Sequence, residues 1–288
     1  METLRVIRAE HAGACYGVQR ALDLTYAAAH DCDSVCTLGP LIHNPRVADE
    51  LADQGIGVAE SVEAIKAGSV VIRSHGVVPQ VIDALSAKQL KIIDATCPHV
   101  LRAQRAAAQL AREGRHVIVV GEAGHPEVEG ISEHARQAGG TCTIVATLHD
   151  IPARLPDALG VVVQTTQSRE KFEMILHELH QRVSDIKVKD TICFATTQRQ
   201  ASAIDLAQQV DAMVIIGGRN SSNTTRLFEI CAQHCPRTYH IESAHEIDSE
   251  WFENCATVGV SAGASTPDDQ IESVVTYLES LRLSADPS

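Results

Sequence analysis

Three cysteines stand where the chain turns from strand-like into helix-like sequence: Cys15 in Ala12-Gly13-Ala14-Cys15-Tyr16-Gly17-Val18, Cys97 in Asp94-Ala95-Thr96-Cys97 and Cys193 in Asp190-Thr191-Ile192-Cys193. A thiol just ahead of a helix feels the positive end of the helix dipole and a set of unpaired N–H groups, so its thiolate is favoured and can take up a metal. Two of the junctions are copies, strand then Asp-x-x-Cys then helix, and Cys15 is a looser third instance without the aspartate. If three such thiols converge from three similar units they suit an iron–sulfur cluster assembled by the tertiary fold, since local ferredoxin spacing is absent. Three cysteines for four irons leave one iron open to a substrate oxygen, much as a catalytic zinc keeps an open position. The alternative is that all three are small buried hydrophobes, the commonest state of a free cysteine, which accounts neither for the flanking glycines nor for the repeated Asp-x-x-Cys.

A second set of residues suits an anion. His43, His75 and His125 all lie on turns at or soon after a strand exit. In an acidic chain such rings can hold an anion without a lysine, above all beside helix N-termini. The stretch Gly217-Gly218-Arg219-Asn220-Ser221-Ser222-Asn223 follows an apolar strand and opens a helix, with hydroxyl and amide donors suited to phosphate oxygens; ordinary N-capping explains one of them but not so many together. Ser265 sits at a junction of the same kind. His125-Pro126-Glu127 adds a carboxyl beside a histidine, and Gln164-Thr165-Thr166 adds hydroxyls after a buried-looking strand. A glutamate closed off from water there has a raised pKa and can donate a proton, with Thr165 as relay.

The elements that must position these residues are legible as alternation. Short β-branched runs (Leu4 to Arg8, Val35 to Leu38, Val70 to Arg73, Lys91 to Ile93, Val117 to Val120, Val161 to Val163, Met213 to Ile216, Val258 to Val260) are separated by amphipathic stretches such as Val100 to Arg112, Lys171 to Val183, Arg199 to Gln209 and Ile271 to Leu283. That pattern predicts βαβ units and parallel sheets, whose strand exits are where ligands bind. At 288 residues the chain has room for two or three domains, and the spacing of the three cysteines favours three. Nine cysteines without regular spacing argue for reduced thiols and a cytoplasmic protein, with no signal peptide and no membrane span expected. A net charge of −13 with no basic cluster excludes nucleic-acid binding as a class.

Taken in order, the motifs resemble the LytB family of 4-hydroxy-3-methylbut-2-enyl diphosphate reductases. The likeness runs from Gly13-Ala14-Cys15-Tyr16-Gly17-Val18 through Leu38-Gly39-Pro40-Leu41-Ile42-His43-Asn44, Ser74-His75-Gly76-Val77, Asp94-Ala95-Thr96-Cys97-Pro98, His125-Pro126-Glu127-Val128-Glu129-Gly130, Gln164-Thr165-Thr166 and Asp190-Thr191-Ile192-Cys193 to Ser221-Ser222-Asn223 and Ala262-Gly263-Ala264-Ser265. It implies an α/β trefoil of three small domains with parallel sheets around a central 4Fe-4S cluster, held by Cys15, Cys97 and Cys193 with one iron not ligated by protein. Domains are then expected over 15–97, 98–193 and 194–282 with 1–14, leaving 283–288 as a C-terminal tail. The resemblance further implies that His43, His75, His125, Thr165, Ser221, Ser222, Asn223 and Ser265 bind an allylic diphosphate. Glu127, His125 and Thr165 are implied as catalytic, Glu127 delivering the proton that lets the C4 hydroxyl leave as water. Two electrons from a donor such as ferredoxin or flavodoxin then yield isopentenyl and dimethylallyl diphosphate, the last step of the methylerythritol phosphate pathway.

Ala14 departs from the family, where the residue before the first cysteine is often aromatic. His99 maps to no family role and is expected simply to start a helix. The pairs Cys32/Cys36 and Cys231/Cys235 have the spacing of one helix face, with buried or solvated thiols as the default. Quinolinate synthase, with a similar three-cysteine cluster, and a non-catalytic iron–sulfur sensor are rival readings. Ser221-Ser222-Asn223 with His75-Gly76 weighs against the first, and Glu127 with Thr165 against the second.

Overall fold

The computed structural model describes residues 4–66 and 68–281, so the expected tail 283–288 lies outside the described residues. In chain order the elements are β1 (Arg5–Arg8), α1 (Tyr16–Asp31), β2 (Val35–Leu38), α2 (Pro45–Asp53), β3 (Gly57–Ala59), β4 (Ser69–Ile72), α3 (Pro79–Ala87), β5 (Lys91–Asp94), α4 (Pro98–Arg112), β6 (His116–Val120), α5 (Pro126–Gln137) and β7 (Cys142–Val145). They continue with β8 (Ala158–Val163), α6 (Arg169–Arg182), β9 (Asp185–Lys189), α7 (Phe194–Ala207), β10 (Ala212–Ile216), α8 (Ser222–His234), β11 (Thr238–Ile241), β12 (Thr257–Ala262) and α9 (Asp268–Ser280). Proline at the first position starts α3, α4 and α5, where its missing N–H costs nothing and its fixed φ suits the helix. Among the described residues no helix is long and apolar enough to cross a membrane.

The chain divides into two compact units. One is built from the residues up to Cys15, His43–Pro45 and the residues from Phe194 onward; the other from Tyr16–Ile42 and Arg46–Cys193. The second holds two four-stranded sheets, ordered β3-β2-β4-β5 and β7-β6-β8-β9, and the first holds one, ordered β11-β10-β12-β1. All strand pairs in them are parallel, so the α/β class with parallel sheets is as expected. Counted from β2, β6 and β10, the three sheets share one arrangement: second, first, third and fourth strand side by side. In the last of them the fourth strand is β1, supplied by the beginning of the chain.

Inner strands are apolar on both faces because helices cover both. Ile118, Val120, Val161 and Val163 of β6 and β8 pack with Phe172, Ile175 and Leu179 of α6. The alternate residues Val117, Val119 and Val162 pack with Ala107 and Leu110 of α4 and Ile131 of α5. Gly160 lets α4 close in, since a Cβ there would lie 2.8 Å from Leu110 Cβ.

Three strands absent from the sequence reading, β3, β7 and β11, are all sheet edges. Each is short and half-exposed, so its apolar run is weak. Helix α7 begins at Phe194 rather than Arg199, because its first turns bury Thr196, Arg199 and Gln200 in place of an apolar stripe.

Candidate functional site

Repetition of one sheet design places the candidate residues. Each candidate cysteine follows the fourth strand of a sheet, and its backbone N–H is seated on a carbonyl two residues beyond the third strand. Cys97 donates to Ser74 O (2.9 Å), Cys193 to Thr165 O (3.0 Å) and Cys15 to Ala264 O (3.1 Å). Five residues beyond the first strand of each sheet stand His43, His125 and Ser221, each on the approach to the next helix. Three residues beyond the third strand stand His75, Thr166 and Ser265. The candidates therefore occupy three exits per sheet, those of its first, third and fourth strands.

In the unit spanning Tyr16–Ile42 and Arg46–Cys193, the central feature is a buried carboxyl. Glu127, the second residue of α5, is 1% exposed. Its Oε1 accepts the Thr165 backbone N–H at 2.7 Å and its Oε2 accepts the Thr165 hydroxyl at 2.9 Å. Burial dominates over these two donors, with a smaller push from Glu122, and raises the carboxyl pKa to about 7. Such a group is half protonated near neutrality and can hold or release a proton. His125 caps α5, its Nδ1 accepting the Glu127 N–H at 3.2 Å; the neutral ring then carries its proton on Nε2. The His75 and His125 rings meet edge to face with centroids 5.5 Å apart. Gly76, at φ +72°, gives the turn carrying His75 its left-handed step, and a Cβ there would press on Gln104 and Thr96 at 3.0–3.1 Å.

Thr165 also reaches Cys193 through its carbonyl, so the buried carboxyl and that thiol hang on one residue. Gln164 braces the same turn: its Oε1 accepts the Glu122 N–H at 3.0 Å and its Nε2 donates to Thr166 Oγ1 at 3.2 Å.

The other unit carries Cys15, His43, Ser221, Ser222, Asn223 and Ser265. Ser221 caps α8 by accepting the Thr224 N–H at 3.4 Å, and Ser222 opens the helix. Asn223 and Thr224 are buried, and Asn223 Nδ2 and Thr224 Oγ1 have no hydrogen-bond partner among the described residues. Backbone crowds them: a Cβ on Gly263 would lie 2.0 Å from Thr224 Oγ1, and one on Gly217 (φ +144°) 2.7 Å from it. Ser265 Oγ donates to the His43 carbonyl at 3.1 Å, and the neighbouring Asn44 Nδ2 donates to Ser265 O at 2.8 Å and to Gln270 Oε1 at 3.0 Å. A buried amide donor without a partner at a helix N-terminus is arranged for an acceptor from outside the protein, an anion above all.

Sequence reasoning missed Thr224, Asn44 and Gln270, which hold this turn. Thr224 belongs to the same polar run as Ser221, and the buried Gln270 hides on a helix face that otherwise reads as surface.

Candidates outside these exits behave differently. His99 is the second residue of α4, half-buried, its pKa lowered by burial and by Arg102. Cys32 and Cys36 do not share a helix face: α1 ends at Asp31, and Cys36 is in β2. Cys231 lies on α8 with Cys235 just beyond its end, both buried, and burial pushes the Cys231 thiol up to about 12. All nine cysteines are outside disulfides; Cys15, Cys97 and Cys193 are half-buried, as are Cys32 and Cys142, where Cys36, Cys231, Cys235 and Cys255 are buried.

Comparison with known proteins points the same way over nearly the whole length. Residues 6–279 match the family model described as LytB protein. Two relatives called 4-hydroxy-3-methylbut-2-enyl diphosphate reductase are each 45% identical over 278 residues. That of Trichlorobacter lovleyi matches over 96% of this chain and 98% of its own, and that of Aquifex aeolicus over 96% of each. A solved (E)-4-hydroxy-3-methyl-but-2-enyl diphosphate reductase, described as the terminal enzyme of the non-mevalonate pathway, is 46% identical with a TM-score of 0.71, covering 96% of this chain and all of that one. The E-1-hydroxy-2-methyl-but-2-enyl-4-diphosphate reductase of Plasmodium falciparum is 25% identical with a TM-score of 0.90, covering 96% and 88%.

Proposed function

The chain belongs to the LytB protein family, and from that premise we propose how its residues carry out the reduction of 4-hydroxy-3-methylbut-2-enyl diphosphate. It is an oxidoreductase of the non-mevalonate route to isoprenoids, acting on a small diphosphate. The reading assigns one sheet to each of three domains, 15–97, 98–193 and 194–282 with 1–14, and the shared strand order supports that partition.

Cys15, Cys97 and Cys193 fit a 4Fe-4S cluster with one iron not ligated by protein: three half-buried thiols outside disulfides, each at a helix start and each seated by the same backbone bond. When bound, such a cluster supplies electrons singly and a Lewis-acidic site for a hydroxyl oxygen. Hydroxide is a poor leaving group, so a proton must arrive as the C4 hydroxyl departs. Glu127 holds that proton, and Thr165 keeps both carboxyl oxygens oriented while its hydroxyl serves as relay. His125, with its proton on Nε2, and His75 beside it donate to the diphosphate. Ser221, Ser222, Asn223, Ser265 and His43 are the further donors of this reading, neutral groups and the α8 N-terminus instead of lysines. Anchoring the diphosphate orients the carbon that loses oxygen. The electron donor is a ferredoxin- or flavodoxin-like protein, and the location is cytoplasmic.

The observation that carries this reading is the buried Glu127 carboxyl gripped by Thr165, which a sensor without catalysis has no use for. Anaerobically purified protein given reduced viologen and the hydroxylated diphosphate should oxidise the viologen and release both isoprenoid diphosphates. Substrate binding without viologen oxidation, with the cluster shown intact, overturns the mechanism.

A further inference from the structure

Each candidate cysteine is followed by a helix, and an arginine lies just over one turn into each: Arg20 is the fifth residue of α1, Arg102 the fifth of α4 and Arg199 the sixth of α7. Each of the three reaches the loop of the next cysteine. Arg20 Nη1, on the helix after Cys15, donates to Thr96 O at 3.3 Å, one residue before Cys97. Arg102 Nη2, on the helix after Cys97, donates to Ile192 O at 3.4 Å, one residue before Cys193. Arg199 Nη2, on the helix after Cys193, donates to Gly13 O at 2.5 Å, two residues before Cys15. The order closes on itself, from first to second, second to third and third to first.

A cation near a helix N-terminus opposes the dipole, so helix stability does not select these positions. The half-buried Arg20 and the exposed Arg102 gain little from bonds to neutral carbonyls, and Arg199 is buried, which costs more still. A purpose shared by three unlike environments is needed. The common element is the carbonyl just ahead of a thiol, whose position sets where that thiol points.

We propose that Arg20, Arg102 and Arg199 are a relay of positioning residues, each fixing the loop of the cysteine that follows in the cycle. The relay rests on the reading that Cys15, Cys97 and Cys193 hold one cluster, which requires the three loops to be set against one another rather than one at a time. A guanidinium suits the task because its rigid fork can hold two carbonyls at once, as Arg199 does with Gly13 O and, at 3.3 Å, Ala195 O at the start of its own helix.

The test uses the full-length chain, stripped of iron by a chelator, with the alkylation rate of each cysteine by iodoacetamide followed by mass spectrometry. Arg20→Gln should raise the rate at Cys97, Arg102→Gln at Cys193 and Arg199→Gln at Cys15, each by at least about fivefold, leaving the cysteine ahead of the substituted helix within about twofold of the parent. Lysine at each position, which keeps one cationic donor, should recover at least about half of the effect on a logarithmic scale. Arg102 is exposed, so Arg102→Gln keeps the test decisive even if Arg199→Gln fails to fold. Unchanged rates, a rise at the cysteine of the same helix, a uniform rise at all three, or no recovery with lysine overturns the relay. Iron content of the reconstituted parent is measured alongside. Parent protein that takes up no cluster overturns the ligand assignment, whereas the cysteine-by-cysteine pattern judges the relay.

Discussion

Thr165 holds both oxygens of Glu127, one through its backbone N–H and the other through its hydroxyl, in a setting where the carboxyl is 1% exposed. Two donors favour the charged form and burial the neutral one; burial wins, and the carboxyl titrates at about 7. Glu127→Gln keeps the shape and removes the proton. Activity should fall by at least about a hundredfold, the scale of a lost general acid, with the cluster's visible absorption retained. Near-normal turnover by the variant removes Glu127 from the mechanism.

The same carboxyl makes stability depend on pH with a definite sign. Its folded pKa, about 7, lies above the ordinary 4.5, so the folded chain holds a proton that the unfolded chain releases in between. The stabilisation from this group is full below the ordinary value and is lost as pH rises through the folded one. Relative to Glu127→Gln, the parent chain should therefore lose Tm between pH of about 5 and about 8. A Tm difference that stays flat across that range contradicts the assigned titration.

Asn223 tests the proposed anion-binding role of the turn that opens α8. Asn223→Asp preserves shape but puts an acceptor of negative charge where the buried Nδ2 now stands. The value of kcat/KM should drop by at least about a hundredfold, mainly through KM, with Tm little changed. An unaltered KM moves the diphosphate elsewhere.

Serine replacement separates ligands from other thiols. Cys15→Ser, Cys97→Ser and Cys193→Ser should each strip or degrade the brown chromophore, while Cys142→Ser, at the start of an edge strand, should leave the iron content unchanged. The reverse pattern refutes the ligand set.

Gly263→Ala probes the close approach at the same turn. Its Cβ would sit 2.0 Å from Thr224 Oγ1, and overpacking of this kind costs about 1–3 kcal/mol, readable as a lower denaturation midpoint in urea. An unshifted midpoint shows that Thr224 yields freely.

Much of this was legible from residue types alone. Inner strands such as Val117 to Val120 and Met213 to Ile216 announce themselves because they are covered on both faces and must be apolar throughout. The edge strand Gly57–Ala59 did not, since its three residues are mostly exposed and carry little pattern. The Asp-x-x-Cys junctions showed the repeat, and in the structure their aspartates cap the turn, Asp94 accepting the Thr96 N–H at 2.9 Å and Asp190 the Ile192 N–H at 3.1 Å. What stayed hidden was long-range polar contact. Arg199 and Gln270 read as helix surface, and only the fold reveals that each is buried against a backbone carbonyl far along the chain.

Pairing of β1 with β12 has a consequence for synthesis. Cys15 leaves the ribosome early, yet the carbonyl that seats it belongs to Ala264, and its strand cannot join a sheet until Thr257–Ala262 has been made. The two sheets of the middle of the chain can form while translation continues, but the third waits for nearly the last residue. Cys15 is the first of the three candidate cysteines to be translated and the last whose backbone can be seated, so if the three thiols act together they do so only once the β12 segment has been made.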